Sequence, residues 1–256
     1  MSAADLLSPY RGALTIEQVA TGMNAATNNA RRLAQDARLL LDNKRLPTAT
    51  SVAALSIEES GKVVILRRFL TAKTDEIKGL WKEYRSHTKK NINWILPELV
   101  AKGARRLEDF KPMIDSASDH PEVLDATKQI GFYTDCLGNA HWSLPSEAVD
   151  EVLAKSLVTA AEVLSPERNI SVRELELWVE YLGPVWNKNP DWMKQALVNW
   201  YGAMQAEGLA PAGPNKMQAF IKEGLTIDQA SQMSTKSETK LATPLDANSA
   251  VLHLRQ

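Results

Sequence analysis

Apolar side chains in this chain recur at steps of three and four residues almost from end to end. The clearest run is Ala26, Ala30, Leu33, Ala37, Leu40 and Leu41, a helical stripe able to pack on a neighbour. Alternating β-branched runs of strand type are nearly absent. The 12 Gly and 12 Pro fall mostly at the ends of periodic segments. These features predict an all-α protein: an up-and-down helical bundle with a C-terminal helical extension and a mobile tail.

Local signals place the helices. Thr15 and Gln18 have capping-box spacing and open a first helix that ends near Asn43, before the turn Arg45-Leu46-Pro47. A second helix over about 48–69 begins with small residues, including Ala49, Ser51, Ala53, Ala54, Ser56, Ser60 and Gly61. Small side chains let backbones approach closely, so these two helices read as an antiparallel hairpin. A third is expected from Thr74 until just before Pro97, with Leu80, Trp81, Tyr84 and His87 on one side, and a fourth from Pro97 to about Phe110. Further helices are expected over 121–137, from Ser146 to Leu164, from a second capping box at Ser171 and Glu174 to Leu182, from Asn189-Pro190 to Gly208, and over 215–223, with a loop at 138–145. The resulting division is a bundle over 1–165, a helical region packed on it over 166–230, and a flexible tail over 231–256.

Hydrophobic residues make up 44% and charged residues 24%, enough apolar chain for a sizeable core. No apolar run approaches the ~18 residues of a membrane span. The N-terminal residues lack a basic start followed by an apolar stretch, which leaves a cytoplasmic setting as the expectation. The single cysteine, Cys136, excludes a disulfide scaffold and reads as packing. Charge is uneven: residues 31–111 hold 18 Lys/Arg against 10 Asp/Glu, and residues 112–170 hold 3 against 10. Attraction between the two parts, within the fold or across a dimer, is the plainer account; a phosphate backbone drawn to the basic part is the other.

Two segments carry candidate chemistry. In Ile57-Glu58-Glu59-Ser60-Gly61-Lys62, two adjacent carboxylates stand in mid-helix among small and apolar residues. One must face packed surface, where it needs a cation, donors or a proton. Lys62 follows Glu58 at the spacing of a helical ion pair. In Lys82-Glu83-Tyr84-Arg85-Ser86-His87-Thr88-Lys89-Lys90, either His87 or Lys90 is a plausible partner for Glu58 or Glu59. A histidine beside a carboxylate is either an acid/base group or a satisfied core histidine. The four histidines, His87, His120, His141 and His253, lack metal-site spacing, so no metal and no cofactor is expected. No phosphate loop, dinucleotide fingerprint or nucleophile elbow is present. Trp178, Trp186, Trp192 and Trp200 offer base stacking or core packing, and packing is the better reading because Trp178 and Trp200 lie in apolar stripes.

The run from Asn29-Ala30 through Leu33, Asp36-Ala37 and Leu40-Leu41 to Ala54-Leu55-Ser56-Ile57-Glu58-Glu59-Ser60-Gly61-Lys62, with His87-Thr88-Lys89-Lys90 beyond it, resembles the AbiV family of abortive-infection proteins over about residues 15–145. The resemblance implies phage defence by shutting down translation, a HEPN-like bundle and a homodimer. Many HEPN proteins are metal-independent RNases whose motif sets an Arg one to two helical turns ahead of a His. Here Leu80, Trp81 and Lys82 occupy that window before His87, so Lys82 has the spacing and Arg85 is nearby. Lys does not replace Arg at a phosphate clamp. The candidate catalytic groups are His87, Glu58, Glu59 and Arg85, and the candidate RNA- or phosphate-binding groups are Lys62, Lys82, Lys89 and Lys90. RNA or the ribosome is the expected target. The alternatives are a non-catalytic defence protein that binds a phage or host protein, and a helical scaffold unrelated to defence.

Overall fold

The computed structural model describes residues 8–225 and is all-α apart from one two-stranded hairpin. The proposed tail beyond Ser231 lies outside the described residues. Helix α1 (Ile16–Asp42) opens on the expected capping box, with both reciprocal bonds between Thr15 and Gln18 formed. After a turn with Lys44 at φ +59°, α2 (Leu46–Arg68) returns alongside α1. The Ser56 hydroxyl donates to the Ala30 carbonyl at 2.7 Å and ties the two helices together.

Small residues decide how α2 is surrounded. Ala49, Ala53 and Ala54 are fully buried, as are Ala30 and Ala37 of α1. These faces are consumed within the chain, packing together with Ile57 and with Leu124, Leu157 and Val158 of later helices. A second apolar cluster joins Val19, Met23, Ile65, Leu66, Phe69, Leu80 and Trp81 to Leu175, fixing the C-terminal region on the bundle.

The expected third helix is broken. It forms α3 (Ile77–Arg85), then the short α4 (His87–Lys90), then a 3-10 turn (Asn91–Ile95). The break is at Ser86, which is extended and whose hydroxyl accepts from the Lys89 backbone N–H, starting a new helix. The expected fourth helix is shortened to α5 (Leu96–Ala101). It stops at Gly103, with φ +103°, and a 3-10 helix over Leu107–Ile114 follows.

Helix α6 (His120–Phe132) ends short of the expected 137, and 135–143 forms a hairpin instead of a loop, with Cys136 paired to Trp142. Cys136 is exposed, contrary to its expected packing role. The segment after Ser146 splits into α7 (Pro145–Ala148) and α8 (Glu151–Leu164), because Asp150 caps α8 through the Leu153 N–H.

Beyond these lie α9 (Val172–Leu182), α10 (Pro190–Ala206) and α11 (Lys216–Glu223). Only half of the second capping box forms. Ser171 accepts from the Glu174 N–H, but the Glu174 carboxylate is buried against Arg168 at 2.5 Å and Arg67 at 3.9 Å. Trp178 and Trp200 pack edge to face at 5.2 Å in the C-terminal core, whereas Trp192 is 60% exposed.

Some of the uneven charge is matched inside the fold. Arg38 holds Glu162 through two hydrogen bonds of 2.9 and 2.8 Å, and Lys44 holds Glu151 at 3.0 Å.

Candidate functional site

The site is built on the middle of α2, where three helices converge. Helix α4 reaches Glu58 because residue 61 is glycine: a Cβ there would lie 1.9 Å from the Lys90 carbonyl oxygen. Helix α6 comes equally close through Gly131, whose added Cβ would lie 2.2 Å from the Ser51 hydroxyl and 2.8 Å from the Pro47 carbonyl. Ser51 also donates to the Lys128 carbonyl at 2.9 Å. Two glycines and a serine thus bring side chains from α4 and α6 onto one carboxylate.

That carboxylate is Glu58, which is 3% exposed. Its Oε1 accepts from the Lys128 ammonium at 2.6 Å. Its Oε2 lies 2.8 Å from His87 Nδ1 and 3.4 Å from the Lys90 ammonium. Lys128 also donates to Asp125 at 2.6 Å and stands 3.3 Å from His87 Nδ1.

The charges explain one another. Burial pushes the Glu58 pKa up, but hydrogen bonds from Lys128 and His87 and the charges of Lys128 and Lys90 outweigh it, so the carboxyl sits below the ordinary range. Burial pulls Lys128 down, and its bonds to Asp125 and Glu58 more than compensate, raising it. Lys90 is buried with one loose carboxylate contact, and burial lowers its pKa despite the Glu58 charge.

The tautomer of His87 follows from its neighbours. An Nδ1 lone pair 2.8 Å from an ionised Glu58 oxygen would be repelled, so Nδ1 carries the hydrogen and donates to Glu58. In the neutral ring, Nε2 is then the free base. The side chain is 57% exposed, so His87 is not a buried core histidine. A carboxylate behind one nitrogen, with the ring open to solvent, is an arrangement for proton transfer.

The other sequence candidates are placed differently. Glu59 turns away to Lys62 at 2.5 Å, so Lys62 pairs with Glu59 and not with Glu58 as its spacing suggested. The Lys62 ammonium also lies over the Tyr84 ring at 5.3 Å. Arg85 donates to the carbonyls of Tyr10 at 2.5 Å and Trp81 at 3.2 Å, and it stacks over the Trp81 ring. Lys90 is buried on Glu58 and is not a surface phosphate contact. Lys82 and Lys89 are exposed, as is Lys78, and none of the three forms an ion pair among the described residues.

Asp125 and Lys128 were not among the sequence candidates. A signal was present: Lys128 is the only Lys or Arg in residues 112–154, and Gly131 follows one turn later. Among the described residues, Glu58, His87 and Asp125 form a group able to hold a metal, their ligand atoms lying within 4.8 Å of one another. The Lys128 ammonium already donates to Glu58 and Asp125, and it stands 3.3 Å from His87 Nδ1.

Among the described residues, no helix is long and apolar enough to cross a membrane. No curated protein and no solved structure matches the chain. A family model described as AbiV, of HEPN type, matches residues 18–165, more than half of the chain and the whole of the Glu58–His87–Lys128 cluster. The chain therefore belongs to the AbiV family of HEPN-like abortive-infection proteins.

Proposed function

We propose that this phage-defence protein lowers translation by acting on RNA, free or in the ribosome, at the surface around His87. The observation that carries the reading is the exposed His87 ring oriented by buried, ionised Glu58. Nε2 would take the proton from a ribose 2′-OH, and Glu58 would stabilise the imidazolium that forms. Exposed Lys78, Lys82 and Lys89 on the α3–α4 segment would bind phosphates. The leaving oxygen needs a second proton-transfer group, which we assign to His87 of a second copy in a homodimer.

The test uses purified full-length protein, total cellular RNA and ribosomes, with and without EDTA. Wild type is expected to bind RNA at low salt and to change the RNA pattern without a metal. His87→Ala is expected to bind without changing the pattern. Light scattering is expected to give twice 28.3 kDa. The engagement of the Arg85 guanidinium by the Tyr10 and Trp81 carbonyls favours a second reading, a defence protein that binds a phage or host protein without cleavage. Failure of wild type to bind RNA or ribosomes at low salt would select it.

A further inference from the structure

Three helices bring a histidine and two carboxylates together. Glu58 comes from α2, His87 from α4 and Asp125 from α6, and their ligand atoms lie within 4.8 Å of one another. One imidazole nitrogen and two carboxylate oxygens are a donor set for a divalent ion of the zinc class. The place beside them is taken. Lys128 Nζ lies 2.6 Å from Glu58 Oε1, 2.6 Å from Asp125 Oδ1 and 3.3 Å from His87 Nδ1. Its side chain is only 5% exposed, so the ammonium is built into the packing of α6 on α2.

An ammonium and a metal ion make different demands on the histidine. The ammonium only donates. It neutralises the carboxylates and leaves His87 Nδ1 its hydrogen, which goes to Glu58 Oε2 at 2.8 Å. Nε2 is then free as a base. A metal ion held by the same three groups would bind the Nδ1 lone pair, and the ring hydrogen would move to Nε2 with no net gain or loss of a proton. The solvent-facing base would be gone. Charge points the same way. Lys90 and Lys128 together balance Glu58 and Asp125, so a divalent ion added beside them would stand in an excess of positive charge.

We propose that Lys128 is a positioning residue that acts as an internal cation: it fills a latent metal site, keeps divalent ions out and holds His87 in the tautomer with Nε2 free. The use of that tautomer in proton transfer rests on the His87 reading; the exclusion of metal does not. The His87 and Asp125 side chains are 57% and 29% exposed, so both can close to the ~2.1 Å bonds of zinc once the ammonium is removed.

The experiment is calorimetric titration of full-length wild type, Lys128→Ala and the double variant Lys128→Ala with His87→Ala, using zinc and no RNA. Lys128→Ala is expected to bind one more zinc than wild type, and the added His87→Ala is expected to weaken that site by at least about tenfold. Zinc is also expected to raise the melting temperature of Lys128→Ala more than that of wild type. Nitrogen-15 NMR reads the tautomer: His87 Nδ1 is expected to carry the hydrogen in wild type with or without zinc, and Nε2 in zinc-loaded Lys128→Ala. The proposal is overturned by no additional zinc site in Lys128→Ala, by an additional site indifferent to His87→Ala, by a Lys128→Ala chain unfolded with and without zinc, or by wild-type His87 nitrogens that shift on adding zinc. If the expected results hold and wild type leaves RNA intact, only the His87 reading fails.

Discussion

Gly61 and Lys90 meet backbone to backbone: a Cβ on residue 61 would lie 1.9 Å from the Lys90 carbonyl oxygen. Their approach seats α4 on α2 and brings His87 Nδ1 to 2.8 Å from Glu58. Every other glycine in α1–α4 has more room. Gly22 would gain an ordinary contact with Leu66 at 3.4 Å, and a Cβ on Gly79 would meet nothing within 4 Å.

Gly61→Ala is therefore expected to push α4 away and cost about 1–3 kcal/mol, the range for overpacking a tight contact. Gly79→Ala, in the exposed first turn of α3, is expected to stabilise by up to about 1 kcal/mol. Urea unfolding of both variants checks the pair; equal effects would contradict the contact.

Adjacent glutamates are expected to differ sharply. Glu58→Ala leaves two buried ammoniums, Lys90 and Lys128, without their shared carboxylate, a loss of about 3–5 kcal/mol. Glu59→Ala removes only an i,i+3 pair with Lys62 and is expected to cost under about 1 kcal/mol. Chemical denaturation of the two variants at neutral pH measures the difference.

Acid is expected to act through Glu58. Its folded pKa lies below the ordinary value, so its stabilisation is fully present above the unfolded carboxylate pKa of ~4.3 and is lost as pH falls through the lower folded value. Glu58→Gln is expected to flatten this part of the stability curve. Melting temperatures from pH 6 down to pH 3 for wild type and variant provide the check.

Lysine and arginine variants near His87 are expected to separate. Lys82→Ala and Lys89→Ala are each expected to lower RNA affinity and reduce the salt slope by about 1. Arg85→Ala is expected to leave that slope nearly unchanged and to loosen the N-terminal segment, since its guanidinium is spent on the Tyr10 carbonyl. Filter binding at several salt concentrations, with proteolysis of the same variants, reads both effects.

Periodicity and caps determined most of the helices, because a three-to-four repeat and a Thr15–Gln18 box are local signals. The same signals carry α3 on through Ser86, since an apolar stripe does not reveal that a serine will leave the helix to cap a new one. Glu58, Glu59, His87 and Lys90 were legible as charged residues on helices that had to pack. Which carboxylate was buried, and that Lys128 and Asp125 complete its surroundings, was decided by tertiary structure alone. Lys128 comes from 70 residues away in the chain. Its arrival depends on Gly61 and Gly131 letting three backbones close on one another. Local signals set the helices and supplied the residues with chemical capacity; the packing of α4 and α6 on α2 chose their pairing, because a buried charge takes whichever partners the backbone approach brings within reach.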